Sequence, residues 1–502
     1  MKTLPSAHSG SVLPTAVDAV ALSLATVSSD MPATSVTSSE LLTSRDALRR
    51  HQSRRLTELL RVIVPTNRFW SEKWRAAGVE VTQDELRFPD DLAKLPLLTK
   101  AELAADHAAR LPYGSNLTFD VGAYSRFCQT SGTTGEPLRW LDTAESWQWM
   151  LGCWEQIFEL AGVRTNDRFC FPFSFGPFLG FWAAFDGAAR LGRLCLPGGG
   201  MSSESRLKLI TENRATVVCC TPTYALRLAE VADELGMDLK SNSVRLLIVA
   251  GEPGGSVSSI RARIEAAWGA RVIDHWGMTE VGPLASECVE NPGGLHILET
   301  ECIAEIIDPT SGQSCDLDAM LAAGPQAGAD PIRGELVITN LGRIGSPVIR
   351  YRTGDLVELD LTPCPCGRAL LRLKGGILSR VDDMVTIRGN NVYPTAIEAI
   401  LREFAEIIEY RIHVATGRAM QELKIEVETS FGVPQTHDEQ QHQDDLLNRV
   451  AATIHDRLHF RPVLLRVETG DLPRHEMKGR RVQRTAARSH DCATAGNGVP
   501  PE

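Results

Sequence analysis

A chain of 502 residues exceeds what one hydrophobic core usually serves, so two or more compact units are expected. Hydrophobic residues at 43% against charged residues at 23% exclude a mainly disordered protein, and a formal net charge of -11 opposes non-specific attraction to nucleic acid or anionic lipid. Twelve cysteines scattered through so long a chain fit a reducing compartment better than a disulfide scaffold, and no apolar run reaches the roughly eighteen residues of a spanning helix. The expectation is a cytoplasmic protein that acts on small molecules, with neither nucleic acid nor membrane as a partner and a homodimer left open.

Residues 1–43 are rich in Ala, Ser, Thr and Val and read as a flexible arm. Their apolar stretch AVDAVALSLATV carries Asp18 and has no basic lead beyond Lys2, which argues against a secretory signal. Structure is expected from near Ser44, where Leu48, Leu56, Leu59, Leu60 and Val64 recur at helical spacing. Over 215–275 the short apolar runs VVCC, VRLLIVAG and RVIDHW alternate with amphipathic YALRLAEVADELG and SVSSIRARIEAAWG, the second placing Ile260, Ile264 and Trp268 on one face. That alternation predicts β-α-β units and a parallel sheet, whose ligands should meet the loops 221–223, 251–255 and 277–280 beyond the strand ends.

From 334 to about 385 short strands and turns predict a small β-rich subdomain. Beyond it YPTAIEAILREF and DLLNRVAATIHDRL read as helices, HVATG and LKIEVETS as strands, and THDEQQHQDD as a solvated loop or helix lead-in. The fold class is therefore α/β: a large N-terminal domain over 44–378 of layered, parallel-rich sheets with the β-rich subdomain, and a small α+β C-terminal domain over 379–488. A tail over 489–502 follows.

The sharpest chemical signal is TSGTTGEP at 130–137, in which Thr130, Ser131, Gly132, Thr133, Thr134 and Gly135 crowd hydroxyls and glycines into a loop able to wrap phosphate oxygens. In isolation such a run would be a surface turn, but it is followed by AGEP at 250–253, HWGMTE at 275–280, YRTGD at 351–355, SRVDDMVTIRGNNVYP at 379–394 and DLPRHEMKGRRVQR at 471–484. In residues and order these six segments resemble the motifs of the acyl-adenylate-forming superfamily, and within it the phenylacetate–coenzyme A ligase family. The resemblance implies an enzyme that joins a carboxylic acid, aromatic by expectation, to AMP from ATP with Mg²⁺, and then passes the acyl group to coenzyme A.

The resemblance also implies roles. Ala250, Gly251, Glu252 and Pro253 form the adenine-side loop, Trp276 stacks on the adenine, Thr279 donates to the α-phosphate, and Glu280 holds Mg²⁺. Asp355 accepts the ribose hydroxyls, Arg380 lies on the nucleotide, and Asp382 is the hinge about which the mobile C-terminal domain swings to bring in Lys478 for adenylation. The residue types suit the chemistry, because attack of a carboxylate on a phosphate brings two anions together and needs a metal, donors and a cation. Two positions depart from the family pattern: Glu136 stands where lysine is frequent, and Ser379 where glycine is usual.

In the family the segment matching FPFSFGPFLGFW at 171–182 lines the aryl group, making Phe173 and Phe178 pocket walls; a core strand-turn-helix is the competing reading. His275 replaces an aliphatic residue there and admits a polar substituent on the acid. Cys288, His296, Cys364 and Cys366 form a set of soft ligands that structural Zn²⁺ prefers, weak by spacing alone and strengthened by family members with zinc at these two segments. Two rival functions stay open: transfer of the acyl group to an amine, a hydroxyl or a carrier-protein thiol, and a non-catalytic nucleotide-binding regulator.

Overall fold

Ser44 accepts the Ala47 N–H at 3.3 Å and so caps the helix Arg45–Thr66, which buries Leu48, Leu56, Leu59, Leu60 and Ile63. Order begins ahead of the expected start, with a further short helix over Ser38–Thr43. The computed structural model describes residues 38–81, 91–130, 136–326, 328–383, 385–387, 390–416, 423–431, 436–474 and 481–486. Residues 1–37, Ser131, Gly132, Thr133, Thr134, Gly135, Lys478 and the tail over 489–502 lie outside that set.

A hairpin of β1 (Tyr124–Gln129) and β2 (Arg139–Thr143) flanks the hydroxyl-rich loop. Next come β3 (Arg168–Phe171), β4 (Leu194–Pro197), β5 (Val217–Cys220), β6 (Leu246–Val249) and β7 (Arg271–Met278), paired in parallel in the order β4-β3-β5-β6-β7. Alternate residues of these strands enter different cores, as the two-residue period of a strand requires. Phe169, Phe171, Val217, Cys219, Leu246, Ile248 and Ile273 pack with Trp147, Met150 and Trp154 of the helix Ala144–Leu160. Cys170, Val218, Cys220, Leu247, Val249 and Val272 face the helices Pro222–Glu234 and Ser258–Trp268, burying Ile260, Ile264 and Trp268 as the periodicity anticipated. The sheet is thus covered on both faces, the condition for a parallel sheet to be stable.

The β-rich part is continuous with this sheet and not a sheet of its own. β7 pairs through Asp274 with β6 in parallel, and from His275 onward with β8 (Gly282–Cys288) in antiparallel fashion. β9 (Asn291–Ile297), β10 (Cys302–Ile307), β11 (Arg333–Asn340), β12 (Tyr351–Asp360) and β13 (Arg372–Arg380) extend it to eleven strands, β10-β11-β12-β13-β9-β8-β7-β6-β5-β3-β4. One strand therefore carries the first four residues of HWGMTE where the sheet changes from parallel to antiparallel, and Thr279 and Glu280 follow in the turn beyond it.

A third core lies wholly between Val385 and Val482. After a hairpin of β14 (Val385–Ile387) and β15 (Asn390–Val392) come β16 (Ile407–Thr416), β17 (Leu423–Thr429), β18 (Val463–Val467) and β19 (Val482–Ala486), in a sheet ordered β18-β17-β16-β19. Of the two readings of the polar stretch THDEQQHQDD, the helix lead-in holds and the loop does not. Thr436 and Glu439 form a capping box that starts the helix His437–Leu458, of which that stretch is the first turns. Among the described residues no helix is long and apolar enough to cross a membrane.

Candidate active site

The end of β7 is held by contacts that no local motif contains. Gly277 is required there, because a Cβ would lie 2.7 Å from the Gly282 carbonyl oxygen of the adjoining strand. Just beyond, Glu280 is buried; its carboxylate accepts the Tyr351 hydroxyl at 3.4 Å and pairs with the Lys100 ammonium at 3.3 Å. Arg343, fully buried, donates to the carbonyl oxygens of Thr279 at 2.5 Å and Glu280 at 3.2 Å while its other nitrogens grip Asp142. Peptide carbonyls at a tight turn need donors when buried, and the guanidinium fork supplies two at once.

Asp355 is buried opposite Arg380 on β12 and β13. Its carboxylate accepts the Trp276 indole N–H at 2.9 Å and an Arg380 N–H at 3.1 Å. Arg380 also donates to the Asp382 carboxylate at 2.9 Å and to the Thr353 carbonyl at 3.0 Å. Gly354, at φ +76°, makes room for this, since a Cβ would sit 2.5 Å from a guanidinium nitrogen of Arg380. The structure therefore brings Trp276, Asp355, Arg380 and Asp382 into one chain of hydrogen bonds. Trp276 itself is buried, with its polar edge committed to Asp355.

Thr130 is buried and closes the mouth of the hydroxyl-rich loop: its N–H donates to the Leu138 carbonyl and its hydroxyl accepts the Leu138 N–H, both at 3.0 Å. Glu136 is exposed at the far side of that loop. In the AGEP segment Ala250 is half-buried, while Gly251 and Pro253 lie around Glu252, whose carboxylate accepts the Thr223 N–H at 2.8 Å at the start of the helix Pro222–Glu234. Close by, Asp274 accepts the Ser256 hydroxyl at 2.5 Å, and a Cβ on Gly255 would be 2.4 Å from its carboxylate. Burial pushes the Asp274 carboxyl up to about 7, aided by the nearby Glu287.

In the aromatic segment Phe173 is buried in the main core and stacked on Phe181 with centroids 4.1 Å apart, whereas Phe178 is half-buried and edge-on to Phe181. The His275 ring meets Trp154 edge-on at 4.6 Å, and its buried Nδ1 makes no well-formed hydrogen bond among the described residues. Burial lowers the imidazole to about 4, so it is neutral near pH 7.

Cys288, His296, Cys364 and Cys366 converge, with their ligand atoms all within 4.8 Å of one another. The Cys288 and Cys364 sulfurs are 3.6 Å apart, as are the Cys366 sulfur and His296 Nε2. Burial lowers His296 to about 4, leaving the neutral imidazole a metal ligand needs. Cys288 closes the end of β8 opposite Gly282, so the cluster is about 20 Å from the Glu280 turn at the strand rise per residue.

Four residues at the site carried no signal in the sequence: Lys100, Asp142, Asp274 and Arg343. Lys100 and Arg343 are single cations far in the chain from Glu280, and Asp274 was hidden within a strand-like run. Tyr351, by contrast, opens the YRTGD motif and could have been read with it.

Residues 123–325 match the AMP-binding enzyme family, and residues 389–485 match the AMP-binding enzyme C-terminal domain. The chain is 30% identical over 445 residues to a phenylacetate-coenzyme A ligase of Thermus thermophilus, an alignment covering 86% of this chain and 95% of that protein. A 2-hydroxyisobutyryl-CoA ligase solved in the postadenylation state with 2-HIB-AMP superposes with a TM-score of 0.79 at 26% identity, covering 88% of this chain and 91% of that one. The same ligase with 2-HIB-AMP and CoA in the thioesterification state gives 0.64 at 28% identity, over 89% and 91% of the two chains.

Proposed function

The chain belongs to the phenylacetate–coenzyme A ligase family of AMP-binding enzymes, ATP-dependent ligases that adenylate a carboxylic acid and transfer the acyl group to coenzyme A, and from that membership we propose the residue roles and the acid class that follow. The observation that carries the assignment is the chain of contacts from Trp276 through Asp355 and Arg380 to Asp382, placed beside the Thr279–Glu280 turn. Asp355 has the lone pairs to take both ribose hydroxyls, Trp276 offers its ring face to the adenine, and the loop of Thr130, Ser131, Gly132, Thr133, Thr134 and Gly135 wraps the phosphates. Thr279 donates to the α-phosphate. Lys478 supplies the cation between the two anions, and Asp382 is the hinge of the moving C-terminal unit.

Glu280 suits a Mg²⁺ ligand. Among the described residues its buried carboxylate has two partners, at 3.3–3.4 Å, both looser than a good charged hydrogen bond, and Mg²⁺ at such sites takes one or two carboxylates plus substrate phosphates. Bound there, the ion would offset charge on the phosphates. The Cys288, His296, Cys364 and Cys366 set fits Zn²⁺: a tetrahedral ion with Zn–S of about 2.3 Å and Zn–N of about 2.0 Å places neighbouring ligands about 3.5–3.8 Å apart, and the Cys288–Cys364 and Cys366–His296 edges are both 3.6 Å. At its distance from Glu280 the ion would be structural, pinning the β12–β13 loop to β8 and β9.

The acid is proposed to be aromatic, held near Phe178 and His275 with Phe173 and Phe181 beneath; burying a phenyl-sized group contributes on the order of 1.5–3 kcal/mol. A second reading, an acid bearing a hydroxyl, is favoured by His275, whose imidazole burial keeps neutral near pH 7. ATP–pyrophosphate exchange across benzoic, phenylacetic, hydroxyphenylacetic, cinnamic, small 2-hydroxy and long fatty acids separates these. Best exchange with an aryl acid supports the proposal, and a preference for long fatty acids overturns it. The enzyme is placed in the cytoplasm, where ATP and coenzyme A are available.

A further inference from the structure

The C-terminal unit touches the N-terminal one through a side chain that none of the assigned roles uses. Arg481 begins three residues after Lys478, and its carbonyl accepts the Ile412 N–H at 2.7 Å as the chain enters β19. Its Nε and Nη2 grip the Glu409 carboxylate at 2.6 and 2.9 Å, and both side chains are buried. Arg402 adds a second cation to Glu409 at 3.5 Å, and both guanidinium groups lie over the Tyr410 ring. The arginine is therefore fixed within its own domain by main chain, carboxylate and ring together.

The remaining nitrogen, Nη1, crosses the domain boundary and donates to the Thr223 hydroxyl at 3.1 Å. Thr223 is not an incidental neighbour. Its N–H is one of the otherwise unpaired donors at a helix start, and it is taken by Glu252, the carboxylate of the AGEP loop. Glu252 also adds its negative charge to the field at Arg481. An unbroken path runs from the adenine-side loop, through Glu252 and Thr223, to Arg481 and the strand that follows Lys478.

We propose that the Arg481–Thr223 contact is a latch for the adenylation orientation: it fixes one end of the segment bearing Lys478 against the adenine-side loop, and it must open before the acyl group can pass to coenzyme A. The domain arrangement fits, since the chain superposes better on the postadenylation form of the hydroxyisobutyryl ligase than on its thioesterification form. A single hydrogen bond suits such a device, being strong enough to bias two orientations and weak enough to release. Arg481 and Thr223 are positioning residues, acting through Lys478 and not on the substrate. The proposal rests on the two-orientation reading of the C-terminal unit given above.

The test separates the half-reactions in Thr223→Val, Thr223→Ala and Thr223→Ser. The latch requires ATP–pyrophosphate exchange to fall about tenfold in the valine and alanine variants, the loss expected for one charge-assisted hydrogen bond, and to return near wild type in the serine variant. Thioester formation from chemically made acyl-adenylate and coenzyme A should stay within about twofold of wild type in all three. Unchanged exchange in the valine and alanine variants overturns the latch, as does an equal fall in both half-reactions or a serine variant no better than alanine. The two-orientation reading is tested separately in Lys478→Ala: if both half-reactions fall together there, that reading fails whatever the Thr223 variants do.

Discussion

Arg343 and Asp142 form a paired fork in which two guanidinium nitrogens meet the two carboxylate oxygens at 2.7 and 2.6 Å, with neither side chain exposed. The remaining nitrogen holds the carbonyls of Thr279 and Glu280, and the guanidinium lies over the Trp140 ring at 5.0 Å. Asp142 stands on β2, which borders the hydroxyl-rich loop, so one buried ion pair ties that loop's far strand to the turn bearing the proposed metal ligand.

Breaking this pair should cost both stability and the first half-reaction. Asp142→Asn leaves a buried guanidinium with no counter-charge, a change typically worth about 3–5 kcal/mol. Urea unfolding should show that loss, and ATP–pyrophosphate exchange should fall with it. Arg343→Lys should not rescue either, because an ammonium cannot span the carboxylate and two carbonyls. A lysine variant with wild-type stability would show that the fork has no special part in the turn.

Lys478→Ala should lower adenylation by roughly 10²–10³-fold, the usual scale for one lost electrostatic stabiliser of a transition state. Acyl-adenylate supplied ready-made bypasses that step, so with coenzyme A the variant should form thioester at nearly the wild-type rate. Equal losses in the two assays would take the adenylation role away from Lys478.

The raised Asp274 makes a signed prediction. Its folded pKa of about 7 lies above the ordinary carboxyl value of about 4, so between these pH values the folded protein keeps a proton that the unfolded chain has released. Through this group, stability falls as pH rises across that window, and the full cost is present above pH 7. Asp274→Asn removes the titration, so its stability relative to wild type should climb from pH 4 to pH 8. A difference in urea midpoint that stays flat over that range would mean the carboxyl titrates normally.

Protein purified without added metal should carry about one zinc per chain, the content of a single four-ligand site. Cys364→Ser with Cys366→Ser should abolish it and lower the unfolding temperature. Adenylation should persist in whatever fraction stays folded, because the cluster lies at the opposite end of β8 from the Glu280 turn. Undiminished zinc in the double variant would remove these two residues from the site.

The sequence alone determined what is settled by neighbours along the chain. Ile260, Ile264 and Trp268 share a face because a helix repeats every 3.6 residues, and TSGTTGEP, HWGMTE and YRTGD are legible because each places its functional groups in one short loop or strand. Even the helical start at Thr436 was written in its capping box, although the polar composition of THDEQQHQDD left loop and helix lead-in both open. Tertiary structure alone decided the rest. Asp142 and Arg343 lie 201 residues apart, and Thr223 and Arg481 lie 258 apart; no local pattern links either pair. Whether the four metal-site candidates converge depends on the register of β8, β9 and β13. Ion pairs such as Lys100–Glu280 depend on which charges are removed from water together, a quantity that belongs to the folded packing and to no stretch of the chain.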